Sequence, residues 1–234
     1  MKRKGVFLLL ILTITLFLTS CWSKKELTDL AIVAAMGLDK TKDGRYHITL
    51  QIINPGNVAG GLQGGGGGAQ SPPITIYSAS GDNIVEASRR ASGRISRRLY
   101  YAHTNLVVVG ERLARKEGLN TLIDGLDRDP EFRNTSTLVI AKNSTAADLV
   151  KTLTPVDKIP ANKVLKTLEF TERKWGENVK TSLQEVMKSI ESPGRGTVVS
   201  GFRLVGNPQQ AQKLDNLQES APTEIGRASC RERV

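Results

Sequence analysis

Cysteine is almost absent: the 234 residues hold two, Cys21 and Cys230, each near one end. The body of such a chain has no disulfide framework and no cysteine ligands for a metal. Its fold must rest on an apolar core, and about 200 residues suffice for one domain or the start of two. Histidine is equally scarce, and His47 and His103 lack the HExxH spacing that puts two imidazoles on one helical face around zinc. Aromatic residues make up 5% of the chain and only Trp22 and Trp175 are tryptophans, which argues against a stacked sugar or nucleobase site. There is no GxSxG element to carry a nucleophilic serine. Asp127 and Asp129 flank Arg128 just before Pro130, but carboxylates in a turn more often cap or pair locally. The sequence therefore offers no catalytic, metal-binding or cofactor-binding residue.

What is present begins at the N-terminus. The basic start MKRK leads into an apolar run from Val6 to Leu18, and then Leu18, Thr19 and Ser20 precede Cys21. The run is shorter than the roughly 20 residues that a membrane-spanning helix needs. A Leu three residues before a Cys, followed by two small residues, is the bacterial lipoprotein signal, in which the thiol receives a diacylglyceryl group and the preceding peptide is removed. Residues 1–20 are thus expected to be a signal peptide, and Cys21 the lipidated first residue of the mature protein, carrying acyl chains of the palmitate class. One acyl chain binds a membrane only marginally, whereas two hold it firmly. This places the body on the outer face of a cytoplasmic membrane.

At the other end, residues 225–234 read IGRASCRERV, with no hydrophobic period. The codons ATC GGA AGA GCG TCG TGT AGG GAA AGA GTG spell them in order and resemble a library adapter, so this tail is expected to be an artefact and the natural chain to be longer. The formal net charge is +10; setting aside Lys2, Arg3 and Lys4, and the net two charges of Arg227, Arg231, Arg233 and Glu232, leaves about +5 for residues 21–224. Such a moderate excess suits apposition to an anionic lipid surface and is no argument for nucleic acid.

Between the ends, LAIVAAMGLD from Leu30, the turn-like TKDG and RYHITLQIIN predict a hairpin of two strands. In its second arm His47, Thr49 and Gln51 alternate with Tyr46, Ile48, Leu50 and Ile52, which predicts one buried and one largely wet face, with His47 solvated. Residues 54–72 are glycine-rich and predict a flexible loop; no Lys-Ser or Lys-Thr pair follows to make it a phosphate loop. A third strand is expected over Pro73–Tyr77. A helix from Asp82 to about Leu99 would carry Ile84, Ala87, Ala91, Ile95 and Leu99 on one stripe and Arg89, Arg90, Arg94 and Arg97 on the other side. Then follow a strand at Leu106–Val109, apolar on both faces and hence central, a helix over 111–126, a strand from Thr137, a short helix from Thr145, helices over 161–174 and 182–190, and a strand from Thr197. Strands alternating with helices after a hairpin predict an α+β fold of mixed α/β layers. The polar run 206–224 reads as a linker toward a C-terminal domain that is missing.

Several blocks in a fixed order resemble the spore germination lipoprotein family written Ger(x)C. They are Cys21-Trp22, ELTDLAIVAAMGLDK, QIINP, a glycine-rich stretch, YSASGDNIVEASR, SRRLYYAHTNLVVVGE, RDPEFR and VIAK, and the likeness spans roughly residues 18–205. The resemblance implies that residues 21–205 form an N-terminal mixed α/β domain of a non-catalytic subunit. That subunit would act beside integral-membrane A and B subunits of a nutrient germinant receptor in the inner membrane of the spore, with no cofactor beyond the lipid on Cys21 and no nucleic acid. A small-molecule germinant would be met only indirectly. Arg90, Arg94, Arg97, Arg128 and Glu131 are the residues expected to meet a partner or the membrane, with Arg128 and Glu131 placed to pair across a turn. A substrate-binding lipoprotein of a transporter is the alternative, although such a protein would place a longer linker between its lipid and its first strand.

Overall fold

A computed structural model describes residues 3–5, 29–55, 72–128, 132–152, 157, 159–176, 178–192, 196–205 and 224–233. Met1–Leu30 separate from a compact unit formed by Ala31–Val234. Strands β1 (Leu30–Lys40) and β2 (Tyr46–Ile53) form the expected hairpin, closed where Thr41 donates its N–H to the Arg45 carbonyl and Gly44 to that of Thr41. Strand β3 (Ile74–Gly81) adds antiparallel to β2 and runs four residues beyond the strand expected from the sequence. On the other side of β1 lie β5 (Leu106–Gly110), β6 (Thr137–Ala141) and β7 (Val198–Val205), all parallel to it. With β8 (Glu224–Arg233) the sheet order is β3-β2-β1-β5-β6-β7-β8, and the short β4 (Arg98–Tyr100) is paired to β1.

The alternation in β5 decides the layers. Val107 and Val109 point into one core with Met36, Leu38, Ile48, Leu50, Leu138 and Ile140. Helices α1 (Ile84–Ser92), α2 (Glu111–Glu117), α3 (Asn120–Asp127) and α6 (Leu183–Glu191) cover that face through Ala87, Leu113, Leu122 and Val186. Leu106 and Val108 point the other way, into a second core with Ala35, Val139, Ala141 and Phe202. There α4 (Ala146–Lys151) and α5 (Pro160–Trp175) supply Leu149, Val150, Val164 and Leu168. The α+β expectation is met, with helices on both faces of a mixed sheet.

Three differences from the sequence reading have physical causes. The helix expected over 82–99 ends at Ser92 with Gly93 as its cap; Ile95 and Leu99 still reach the core, but from a bend and from β4. The helix expected over 111–126 is two helices, because Gly118 takes a positive φ of 70° that ends the first. Third, the face of β2 expected to be wet is covered: Thr49 and Gln51 are both fully buried. Gln51 fits there because its amide donates to the Val150 carbonyl at the end of α4 (2.7 Å) and accepts from the Ala161 N–H at the start of α5 (3.3 Å). A polar residue on a strand thus satisfies the loose ends of two helices.

Residues 225–233 of the tail expected to be unrelated to the rest run within β8 (Glu224–Arg233), antiparallel to β7. Without it β7 would be an open sheet edge, whose free N–H and C=O groups pair with an extended chain without requiring particular side chains.

Replacing Gln51 by Leu leaves the Val150 carbonyl and the Ala161 N–H buried without their partner. Urea titration should show a loss of about 2–3 kcal/mol. An unchanged midpoint would mean that water or a shifted helix satisfies both groups.

Candidate functional site

The described residues bring one set of catalytic residue types together. Asp39 on β1 lies opposite His47 on β2, and His47 lies opposite Ser80 on β3, so one rung of the sheet reads Asp–His–Ser. His47 Nδ1 stands 2.8 Å from Ser80 Oγ. A hydrolytic triad needs the carboxylate on one imidazole nitrogen and the nucleophile on the other. Here the carboxylate is engaged elsewhere: Asp39 Oδ1 accepts from the Ala146 N–H (3.0 Å) and Oδ2 from the Ala147 N–H (2.8 Å), both at the start of α4. Burial pushes the Asp39 carboxyl above its usual range, and the two amide bonds pull it back. Burial also lowers His47, opposed by the charge of Asp39. His47, expected to be solvated, is instead half-buried and bonded to Ser80.

This rung is built as a clamp. Thr145 caps α4 by accepting from the Asp148 N–H at 3.0 Å, and Asp39 takes the next two free amides, from 107 and 108 residues away in sequence. The approach leaves no room on β5, where a Cβ added at Gly110 would lie 2.2 Å from Asp39 Oδ1. Sequence reasoning passed over Asp39, Gln51 and Gly110; the only signal was a carboxylate at the end of an otherwise apolar strand.

The arginines expected at a contact surface divide. Arg90 donates to the Ser80 carbonyl (3.3 Å) and pairs with Glu86, and Arg94 donates to the Ser78 carbonyl (2.7 Å). Both thereby occupy backbone acceptors of β3, an outer strand of the sheet that would otherwise present them to other chains. Arg97 is exposed in the bend after α1. Arg128 ends α3 and makes two bonds to the Asp124 carboxylate (3.1 and 3.2 Å), which hold it more firmly protonated. Glu131 and Cys21 lie outside the described residues, as do residues 56–71 of the glycine-rich stretch. Among the described residues no helix is long and apolar enough to cross a membrane, and no group of three or more His, Cys, Asp or Glu could hold a metal.

Comparison with known proteins places this geometry. The family described as the spore germination protein N-terminal domain matches residues 23–204. This chain is a member of the spore germination protein family. The match bears out the likeness carried by the ordered sequence blocks, and it ends before β8. Spore germination protein KC of Bacillus subtilis (strain 168) is 51% identical over 225 residues, which is 96% of this chain and 55% of that protein. Spore germination protein YndF of the same strain is 28% identical over 70% of this chain and 45% of its own length. Spore germination protein GerQC of Bacillus cereus is 26% identical over 88% of this chain and 53% of its own length. The spore germination chain described here spans about half the length of these curated relatives. No solved structure matches it.

Gly110→Ala should cost about 1–3 kcal/mol, as overpacking does, and should weaken protection of the Ala146 and Ala147 amides in hydrogen exchange; unchanged protection would show that Asp39 is not held as described. His47 carries a signed pH test. Its native pKa lies below the usual 6.5, so the unfolded chain binds more protons between the two values. Stability should fall as the pH drops through 6.5 toward the native value, and His47→Gln should remove that part of the slope.

Proposed function

We propose that this spore germination family member is the N-terminal part of a non-catalytic, lipid-anchored C subunit of a nutrient germinant receptor. In this reading residues 1–20 are removed, Cys21 carries a diacylglyceryl lipid, and residues 21–205 form a domain at the outer face of the inner spore membrane, beside integral-membrane A and B subunits. Residues 206–224 lead on toward the remaining part of the receptor subunit, and 225–234 are foreign to it. The observation that carries the reading is the order of two signals: a lipoprotein cleavage pattern ending at Cys21 stands directly ahead of the family domain, which begins at residue 23.

The hydrogen bonds of the polar rung support a structural role for it, since both Asp39 oxygens accept amides of α4 and His47 Nδ1 meets Ser80. Arg97 and Arg128 remain as contact residues for a partner, while Arg90 and Arg94 serve the sheet edge first. A substrate-binding lipoprotein is disfavoured by the family match.

Two measurements test the proposal. In cells fed a fatty-acid analogue, the wild-type protein should be labelled and sediment with membranes, and Cys21→Ser should be unlabelled and released; a labelled Cys21→Ser protein ends the lipoprotein reading. In a spore-former stripped of redundant receptors, disruption of the full-length gene should stop the refractile-to-dark transition after nutrients while leaving non-nutrient triggers effective. Normal nutrient germination with defective solute uptake would favour the transporter reading instead.

A further inference from the structure

The end of α5 carries a cluster that the clamp and the sheet edges do not use. Five large apolar side chains stand exposed among the described residues, and three of them are Phe170 (55%), Trp175 (66%) and Val179 (45%). Residues 172–176 are all exposed, so the last turn of α5 protrudes between the buried Thr171 and Asn178. The chain then folds back on itself: Asn178 donates to Thr171 Oγ1 (3.0 Å), and the Lys180 N–H to Glu172 Oε1 (3.2 Å). This brings Val179 and Lys180 beside the helix end. Cations surround the apolar groups. Lys174 Nζ lies 5.1 Å from the Phe170 ring centroid, and Arg173 pairs with Glu169 on the exposed side. Lys163 and Lys166 extend the basic side along the helix, and Lys166 pairs with Asp157.

The position of this tip in the sheet matters as much as its composition. The parallel register sets the starts of β5, β6 and β7 at the same end as the first half of β1, with Ala35 opposite Leu106 and Leu106 opposite Thr137. The tip is fastened to that end. Val179 N–H donates to Ser200 Oγ (3.1 Å), Thr181 Oγ1 to the Val198 carbonyl (2.7 Å), and Leu138 N–H to the Thr181 carbonyl (2.9 Å). Cys21 precedes the start of β1 by nine residues, a span of about 30 Å at full extension. A lipid on Cys21 would therefore hold this end of the sheet near the headgroups.

We propose that the protruding end of α5 is a membrane-contact site, in which Phe170, Trp175 and Val179 enter the headgroup region of an anionic bilayer while Arg173, Lys174 and Lys180 meet its phosphates. Exposed aromatics beside Lys and Arg are the combination that settles at a lipid interface, the ring entering the boundary and the long cationic stems reaching back to water. Glu169, Glu172 and, in the sequence, Glu177 temper the charge; Glu169 is engaged with Arg173 and Glu172 with the Lys180 N–H. The proposal rests on the lipid-anchored reading for its orientation, and its test is independent of the lipid.

The test uses a chain starting at Ser23, which contains the compact unit Ala31–Val234 and keeps Trp175 as its single tryptophan. It is mixed with vesicles of phosphatidylcholine alone, or of phosphatidylcholine with phosphatidylglycerol. The protein should co-sediment with the anionic vesicles only, its Trp175 emission should shift to the blue, and added salt should release it. Phe170→Ser together with Trp175→Ser should weaken vesicle binding about tenfold, equivalent to about 1.4 kcal/mol. Arg173→Glu with Lys174→Glu should abolish the preference for anionic vesicles while keeping the far-ultraviolet circular dichroism of the parent. The proposal is overturned if Trp175 emission stays unshifted on anionic vesicles or if either pair of substitutions leaves binding unchanged. It is equally overturned if ultracentrifugation finds a lipid-free dimer that buries Trp175, since the tip would then be an interface between copies. Fatty-acid labelling of Cys21, which this chain lacks, decides the anchoring question separately.

Discussion

The burial of β5 on both faces is the constraint from which the rest of this structure follows. Leu106, Val107, Val108 and Val109 are each at most 2% exposed, and a strand apolar on both sides has to be covered twice. One cover is made by α1, α2, α3 and α6, the other by α4 and α5. Because the covers extend over β1 and β2 as well, the polar side chains of the hairpin come to lie under helices. Burial of such groups costs free energy unless they find hydrogen-bond partners; Asp39 and Gln51 find them, while the Thr49 hydroxyl is buried without one.

The partners of Asp39 and Gln51 are helix ends. Asp39 takes two amides at the start of α4, and Gln51 joins the end of α4 to the start of α5. A rung with the residue types of a hydrolase thereby serves the packing of α4, whose first two amides both end on the Asp39 carboxylate. The same demand at β5 leaves space for nothing larger than glycine at position 110. At the far end of the hairpin, Glu117 on α2 accepts from the Tyr46 hydroxyl (2.6 Å) and pairs with Lys40. The hairpin is therefore held from both faces of the sheet.

With helices over both faces, the sheet's open parts are its edges and ends. Arg90 and Arg94 close acceptors on β3, and β8 lies along β7. The end of the sheet where the parallel strands begin is different. There the last turns of α5 leave Phe170 and Trp175 exposed, at the end of the sheet where β1 begins. For a spore germination subunit read as lipid-anchored, that end is the natural one to face the membrane.

Much of this was legible in the residues. The hairpin with its TKDG turn, the apolar β5 and the short helix after Thr145 all depend on neighbours within a few residues, where periodicity and turn chemistry act directly. The ordered blocks that identify the family are of the same local kind. The sequence pattern misled where a partner lies far along the chain. His47, Thr49 and Gln51 alternate like a solvated face, and only the return of α4 and α5, about 100 residues later, makes that face buried. Gly93 and Gly118 split runs whose hydrophobic period continues across them, because the period records which residues meet the core and not whether the backbone between them stays helical. The arginines of α1 read as one basic face, yet β3 draws Arg90 and Arg94 to its carbonyls and leaves Arg97 in the bend. Residue order alone determined the apolar faces of most elements and the family; the tertiary structure alone decided which polar face is covered and which buried polar group answers which helix end, because that pairing is a matter of distance in space between residues that share no local signal.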